Sequence, residues 1–152
     1  MLTVSETAAL LRTFDNVLIL THVRPDGDTV GPYAAPYAAP AGCVPDKVVS
    51  TDIATTGLFP ENAKPYAGGV DLAIDHHPSF ERFGKANIVR PEAAACAELL
   101  YDILASLGPI TPEIALPLYV GVSTDTGCFA YANTTADTHA VAAALLRTGI
   151  DY

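Results

Sequence analysis

Four apolar runs along this chain end in acidic residues. Asn16-Val17-Leu18-Ile19-Leu20-Thr21 opens into His22-Val23-Arg24-Pro25-Asp26-Gly27-Asp28, and Lys47-Val48-Val49-Ser50-Thr51 ends at Asp52. Val70-Asp71-Leu72-Ala73-Ile74 ends at Asp75-His76-His77, and Gly121-Val122-Ser123-Thr124 leads to Asp125. Such short runs fit buried strands of a parallel sheet, although periodicity alone does not separate them from buried helix. Asn87-Ile88-Val89 reads as a further short strand.

Between these runs the apolar period lengthens to that of a helix. Ser5 to Leu11 reads as a first helix with Ser5 or Thr3 as N-cap. Thr55 to Pro60 reads as a loop, and Glu61 to Lys64 as a single helical turn. Pro91 to Leu107 is the clearest helix. Cys96, Leu99, Leu100, Ile103, Leu104 and Leu107 share one face, and Gly108 marks its end. Thr111-Pro112-Glu113 starts another helix, with Thr as cap and Pro at the first position. Asn133-Thr134-Thr135 caps a last one, Ala136 to Arg147, closed by Gly149. Strands alternating with helices predict an α/β fold with a mostly parallel sheet flanked by helices. Pro32-Tyr33-Ala34-Ala35-Pro36-Tyr37-Ala38-Ala39-Pro40 departs from this rhythm. Interior prolines cost a helix about 3 kcal/mol each, so an irregular or extended segment is expected there.

Composition narrows the classes. The chain has 152 residues, enough for one domain with a sizeable core. Half the residues are hydrophobic and 16% are charged, which excludes a disordered chain. No apolar run approaches the roughly 18 residues of a membrane span. Met1 to Glu6 carries no basic segment, so no signal peptide and a cytoplasmic location are expected. Cys43, Cys96 and Cys128 are scattered and odd in number, which suits reduced thiols. A net charge of −9 argues against duplex DNA as partner. It leaves room for a small phosphorylated ligand held through cations; two divalent ions would bring −9 to −5.

The candidate chemistry lies where the runs end. Ligands of open α/β sheets bind outside the carboxyl ends of the strands. Pro25 and Gly27 force a compact loop on which His22, Asp26 and Asp28 can converge. An Asp-Gly-Asp alone suits an ordinary turn, and a lone His pair is more often solvated or in a core. Four acid-bearing segments in one order are a different matter.

His22-x-x-x-Asp26-x-Asp28, then Asp52, then Asp75-His76-His77, then Thr124-Asp125-Thr126-Gly127 resembles the four motifs of the DHH phosphoesterases. The likeness is to the RecJ-like oligoribonuclease/pAp-phosphatase (nanoRNase) branch, over about Asn16 to Gly31 and about Asp46 to Tyr152. It implies a hydrolase with two Mn²⁺ ions, Mg²⁺ being an alternative. His22, Asp26 and Asp52 would hold the first ion. Asp28, Asp52, His76 and Asp125 would hold the second, with Asp52 bridging. His77 would contact the scissile phosphate or protonate the leaving oxygen, and Asp75 would orient a neighbouring histidine. Arg24 and Thr124 are the expected substrate contacts. The implied activity is hydrolysis of small nucleotide phosphoesters (short oligoribonucleotides, pAp or cyclic dinucleotide products) by a two-metal activated hydroxide. The implied partners are small phosphorylated nucleotides or short single-stranded RNA, with no duplex DNA and no membrane; a homodimer is left open. Four carboxylates crowded in a partly dry cleft repel one another, and two divalent cations offset that repulsion.

Only 24 residues separate Asp28 from Asp52, fewer than the family places there. Residues 1–152 are therefore expected to form a single DHH-type domain, shortened between 31 and 46, with the family's C-terminal substrate-binding domain absent. Two other readings stay open: a non-catalytic relic that binds metal or phosphate, and a plain α/β interaction domain with solvated acids and histidines.

Overall fold

A computed structural model describes residues 1–22 and 44–151 of the chain. The repeated Pro-Tyr-Ala-Ala stretch, Arg24, Asp26, Asp28, Cys43 and positions 31–43 of the interval expected to be shortened lie outside the described residues. The elements run α1 (Val4–Leu11), β1 (Val17–Leu20), β2 (Lys47–Thr51), a short 3₁₀ turn (Thr56–Leu58), α2 (Lys64–Ala67), β3 (Leu72–Asp75), β4 (Ala86–Val89), α3 (Cys96–Leu107), α4 (Pro112–Asp125) and α5 (Ala136–Leu146).

The strands form one parallel sheet in the order β1-β2-β3-β4. Leu18 pairs with Val48, Thr51 with Ile74 and Asp75 with Val89. This register brings the ends of β2 and β3 level, and so fixes where their acids emerge. The class expected from the alternation of strands and helices is the one observed.

The alternation of side chains along each strand divides the core in two. On one face Val49, Leu72, Ile74 and Ile88 pack with Leu99 and Ile103 of α3, Leu118 and Val122 of α4, and Leu145 of α5. On the other, Leu20, Val48 and Ala73 pack with Ile53, Phe59, Val70 and Phe80. All four residues of β3 are buried, which is why that run is apolar up to its last position. Among the described residues no helix is long and apolar enough to cross a membrane.

Local chemistry sets most boundaries. Thr3 caps α1 in a capping box: its hydroxyl accepts from Glu6 N at 3.2 Å, and Glu6 Oε2 accepts from Thr3 N at 2.8 Å. Pro112 occupies the first turn of α4, and Pro117 is carried within it.

One expected boundary is extended and another corrected. The turn expected over Glu61 to Lys64 closes where Ala63 N and Lys64 N donate to Pro60 O at 2.8 and 3.1 Å, and helix continues from Lys64 with Pro65 in its first turn. The helix expected from Pro91 starts five residues later, at Cys96. Arg90 N still bonds Asp75 O at 3.1 Å, prolonging the ladder, and Ala93 N returns to Arg90 O at 3.0 Å in a turn. Ala95 is extended, with φ −145 and ψ 150. Alanines fit a helix or a buried turn equally well, so periodicity could not separate the two there.

Candidate metal centre

β2 delivers Asp52. The residue after Thr51 turns into the left-handed region, with φ 59. Aspartate tolerates this region better than most side chains, and strain of this kind gathers at functional sites. Asp52 N stays bonded to Ile74 O at 2.9 Å, so the carboxylate is fixed to the end of β3. The side chain is buried, with 5% exposure.

β3 delivers Asp75, His76 and His77. His76 Nδ1 lies 3.1 Å from the carbonyl of Ala93. A carbonyl only accepts, so Nδ1 carries a proton and donates to it, which turns Nε2 toward the cleft. That Nε2 stands 3.5 Å from Asp52 Oδ1 and 3.5 Å from Asp125 Oδ2. His22, just past β1, places Nε2 3.6 Å from Asp52 Oδ2. His77 is tied back: Asp75 Oδ1 accepts from its backbone N at 2.6 Å and faces its Nδ1 at 2.9 Å. The rings of His76 and His77 lie 4.5 Å apart, tilted by 59°.

These distances fit shared cations better than direct contacts. First-row divalent ions bind N and O donors at about 2.0–2.2 Å, so two donors on one ion stand roughly 3.0–3.5 Å apart. Asp52, His76 and His77 offer donor atoms that all lie within 4.8 Å of one another. Asp75 Oδ2 is fully buried with no hydrogen-bond partner among the described residues. Asp125 is the last residue of α4, where the helix already carries partial negative charge. A carboxylate at that end is disfavoured unless a cation stands nearby. The donor set fits a divalent metal.

The electrostatics of the protein groups themselves point the same way. Burial pushes the Asp52 carboxyl above its ordinary value, against the pull of His76 and His77, and the neighbouring Asp75 adds to the rise. The hydrogen bond that the His77 ring donates to Asp75 raises His77, with burial opposing and the charges of Asp75, Asp52 and Asp125 assisting. A divalent ion would reverse the first of these, since it favours the charged carboxylate.

The structure thus brings His22, Asp52, Asp75, His76, His77 and Asp125 to one cleft. Asp26, Asp28 and Arg24 lie outside the described residues. Thr124 stands in the last turn of α4, where its hydroxyl donates to Val120 O and Gly121 O, both at 3.0 Å. One expectation is corrected: Asp125 arrives at the end of a helix, not of a strand. The run before it, Leu118 to Val122, is apolar because α4 is packed against its neighbours. The reading of single residues also missed the Ala93 carbonyl, which seats His76. A backbone group carries no signal in residue type, and only a boundary at Cys96 would have exposed it.

No family model matches the chain. It is 32% identical to the bifunctional oligoribonuclease and PAP phosphatase NrnA of Thermus thermophilus, over 88% of this chain and 50% of that protein. This chain is a homologue of the DHH-type oligoribonuclease/PAP phosphatases. A protein of the same name from Mycoplasma genitalium is 24% identical over 97% of this chain and 58% of its own length. Among solved structures, an exopolyphosphatase-related protein from Bacteroides fragilis superposes with a TM-score of 0.79 at 22% identity. That match covers 97% of this chain and 57% of the other, and it shows a shared fold. The DHH-type chain spans about half the length of the relatives it matches.

Proposed function

We propose that this chain is a two-metal phosphoesterase unit that hydrolyses small nucleotide phosphoesters. The observation that carries the reading is Asp52. One of its oxygens faces His22 and the other faces His76, at 3.6 and 3.5 Å. A carboxylate set between two imidazoles in this way is suited to serve two ions at once.

His22, Asp26 and Asp52 hold the first ion in this reading, and Asp28, Asp52, His76 and Asp125 the second. Carboxylate with imidazole suits Mn²⁺, with Mg²⁺ as the alternative. When bound, such ions supply an activated water and a clamp on the phosphoryl oxygens. The chain's own residues do the rest. Asp75 fixes the ring of His77 through its Nδ1, leaving the other ring nitrogen for a phosphate oxygen or the leaving group. His77 is 42% exposed, so a ligand in the cleft can reach it. A protonated ring held in this orientation can give its proton to a departing oxygen. Arg24 and Thr124 are assigned to substrate binding. The substrate class, short oligoribonucleotides or pAp, follows the names of the relatives.

Elemental analysis of the purified chain tests the reading together with a Mn²⁺-dependent assay on pAp, short RNA and a generic phosphodiester. Two bound ions and metal-dependent turnover are expected. Bound metal without turnover on any of the three would leave a metal-binding relic, and absence of bound metal would remove the reading altogether.

A further inference from the structure

Asn133 does not cap the helix it precedes. The cap of α5 is closed by Thr135 and Thr138, each hydroxyl accepting from the other's backbone N, at 3.2 and 3.1 Å. The Asn133 side chain turns elsewhere. Its Nδ2 donates to the carbonyl of Asp125 at 3.1 Å and to the carbonyl of Ala94 at 3.2 Å.

Both acceptors sit beside proposed ligands. The first belongs to the residue whose carboxylate stands 3.5 Å from His76 Nε2. The second neighbours Ala93, whose carbonyl seats His76 Nδ1. The end of α4 and the turn over Ala93 to Ala95 are far apart in sequence, and one amide spans them.

The chain takes a costly path to place that amide. Gly127, Cys128 and Phe129 adopt φ of 55, 56 and 65 in succession. Two of the three are not glycine, and the left-handed region costs such residues roughly 1–2 kcal/mol each. A Cβ on Gly127 would meet the Tyr131 ring at 2.4 Å. The carbonyl of Thr126 accepts from both Ala130 N and Tyr131 N at 2.9 Å, which closes the reversal and returns Asn133 to α4. The last carbonyls of a helix have no intrahelical partner, and Asn133 satisfies the one on Asp125.

We infer that Asn133 is a positioning residue that sets the spacing between His76 and Asp125 by bracing the end of α4 against the Ala93–Ala95 turn. The inference rests on the two-ion reading for its consequence, since these two residues are assigned to the second ion alone. The Asn133 amide bonds backbone carbonyls beside the proposed ligands, not the ligand side chains themselves. Losing an outer partner of a ligand commonly costs about 10–100-fold in metal affinity.

The test compares the wild-type chain with Asn133→Asp, which keeps the shape but sets an acceptor against two carbonyls, and with Asn133→Ser, which keeps one donor. Mn²⁺ titration resolved into two sites and nitrogen NMR of the His76 ring in the metal-free protein are read together. The expected result is a second-site affinity about 10–100-fold weaker in Asn133→Asp, with the first site unchanged and Asn133→Ser between. The metal-free wild type should show His76 as one tautomer with Nδ1 protonated, and Asn133→Asp a mixture. Equal weakening of both sites alongside a lower melting temperature would reduce Asn133 to general packing and overturn the inference. So would unchanged affinities with an unchanged tautomer. Should the wild type bind no metal, the two-ion reading fails on its own, and the tautomer comparison still decides whether the brace holds His76. Asn133→Ser supplies the comparison if Asn133→Asp does not fold.

Discussion

The two sides of the cleft hold their ligands by different means. On one side Asp52, Asp75, His76 and His77 leave the ends of β2 and β3. Their backbones stay in or beside the sheet ladder, through Asp52 N to Ile74 O and Arg90 N to Asp75 O. On the other side Asp125 ends a helix, and the carbonyl beneath it is held by a side-chain amide from a strained turn. The strand side is rigid by construction, because each ladder bond fixes its neighbour. The helix side depends on a few tertiary contacts. Loss of a strand-side ligand should therefore change the chemistry with little change in shape, whereas the helix side can lose its geometry with every ligand still present.

The largest effect is expected from Asp52→Ala. A carboxylate shared by two ions serves both, so both affinities should fall by more than the ~10–100-fold typical of losing an outer partner. Two ions retained at unchanged affinity by titration would disprove the bridge. The same change should stabilise the metal-free chain at neutral pH, because it removes a buried carboxylate whose charge is disfavoured there. Thermal melting in chelator reads that second effect, and a fall in melting temperature would count against it.

Asp125→Ala should do less. It is assigned to the second ion only, so one affinity should fall and the other stay. A titration in which both sites weaken together would mean that the end of α4 supports the whole cleft, and the contrast between the two sides would be lost.

The two sides also differ in how far they could be read from the residues alone. Val17 to Leu20 and Leu72 to Ile74 are apolar runs in which strand is the simplest solution, and the polar groups after β1 and at the end of β3 follow at once. Asp125 follows an equally apolar run, Leu118 to Val122, but there the burial serves a helix. A buried helix and a buried strand look alike over five residues. Ala93 to Ala95 misled for a related reason, since three small residues continue a helical pattern without specifying it. Asn133 stood in a plausible cap, Asn-Thr-Thr, and the nearer Thr135 took that role. One of its two actual partners, Ala94, is 39 residues away, beyond anything local patterning can show. The four-motif order depends on residue type and sequence order, which survive these local ambiguities.

Asp75→Asn sharpens the strand side. It keeps the shape but weakens the hydrogen bond that fixes His77 and raises its proton affinity. Turnover should fall by roughly 10–100-fold, with ion affinities much less affected. The limb of the pH–rate profile assigned to His77 should move to lower pH. A large loss of metal with an unmoved profile would show instead that Asp75 acts on the ions.

The smallest effect is the pH dependence of the metal-free fold, and its sign is specific. His77 is raised above its ordinary 6.5 in the folded chain, chiefly by Asp75. A group whose folded value lies above its unfolded one contributes stability that is complete below the unfolded value. That stability is lost as pH rises through the folded value. In chelator the melting temperature should therefore decline as pH rises above the ordinary imidazole value of 6.5. His77→Gln should flatten the decline. Asp52 is also raised, from 3.8 and mainly by burial, so its contribution is lost in a lower window as pH rises from there. Asp52→Asn should leave the upper decline in place. His77 is half-exposed, so solvent screening keeps its step small. A melting temperature that rises as pH passes above 6.5 in chelator would show that the ion pair with Asp75 does not hold the strand side in the absence of metal.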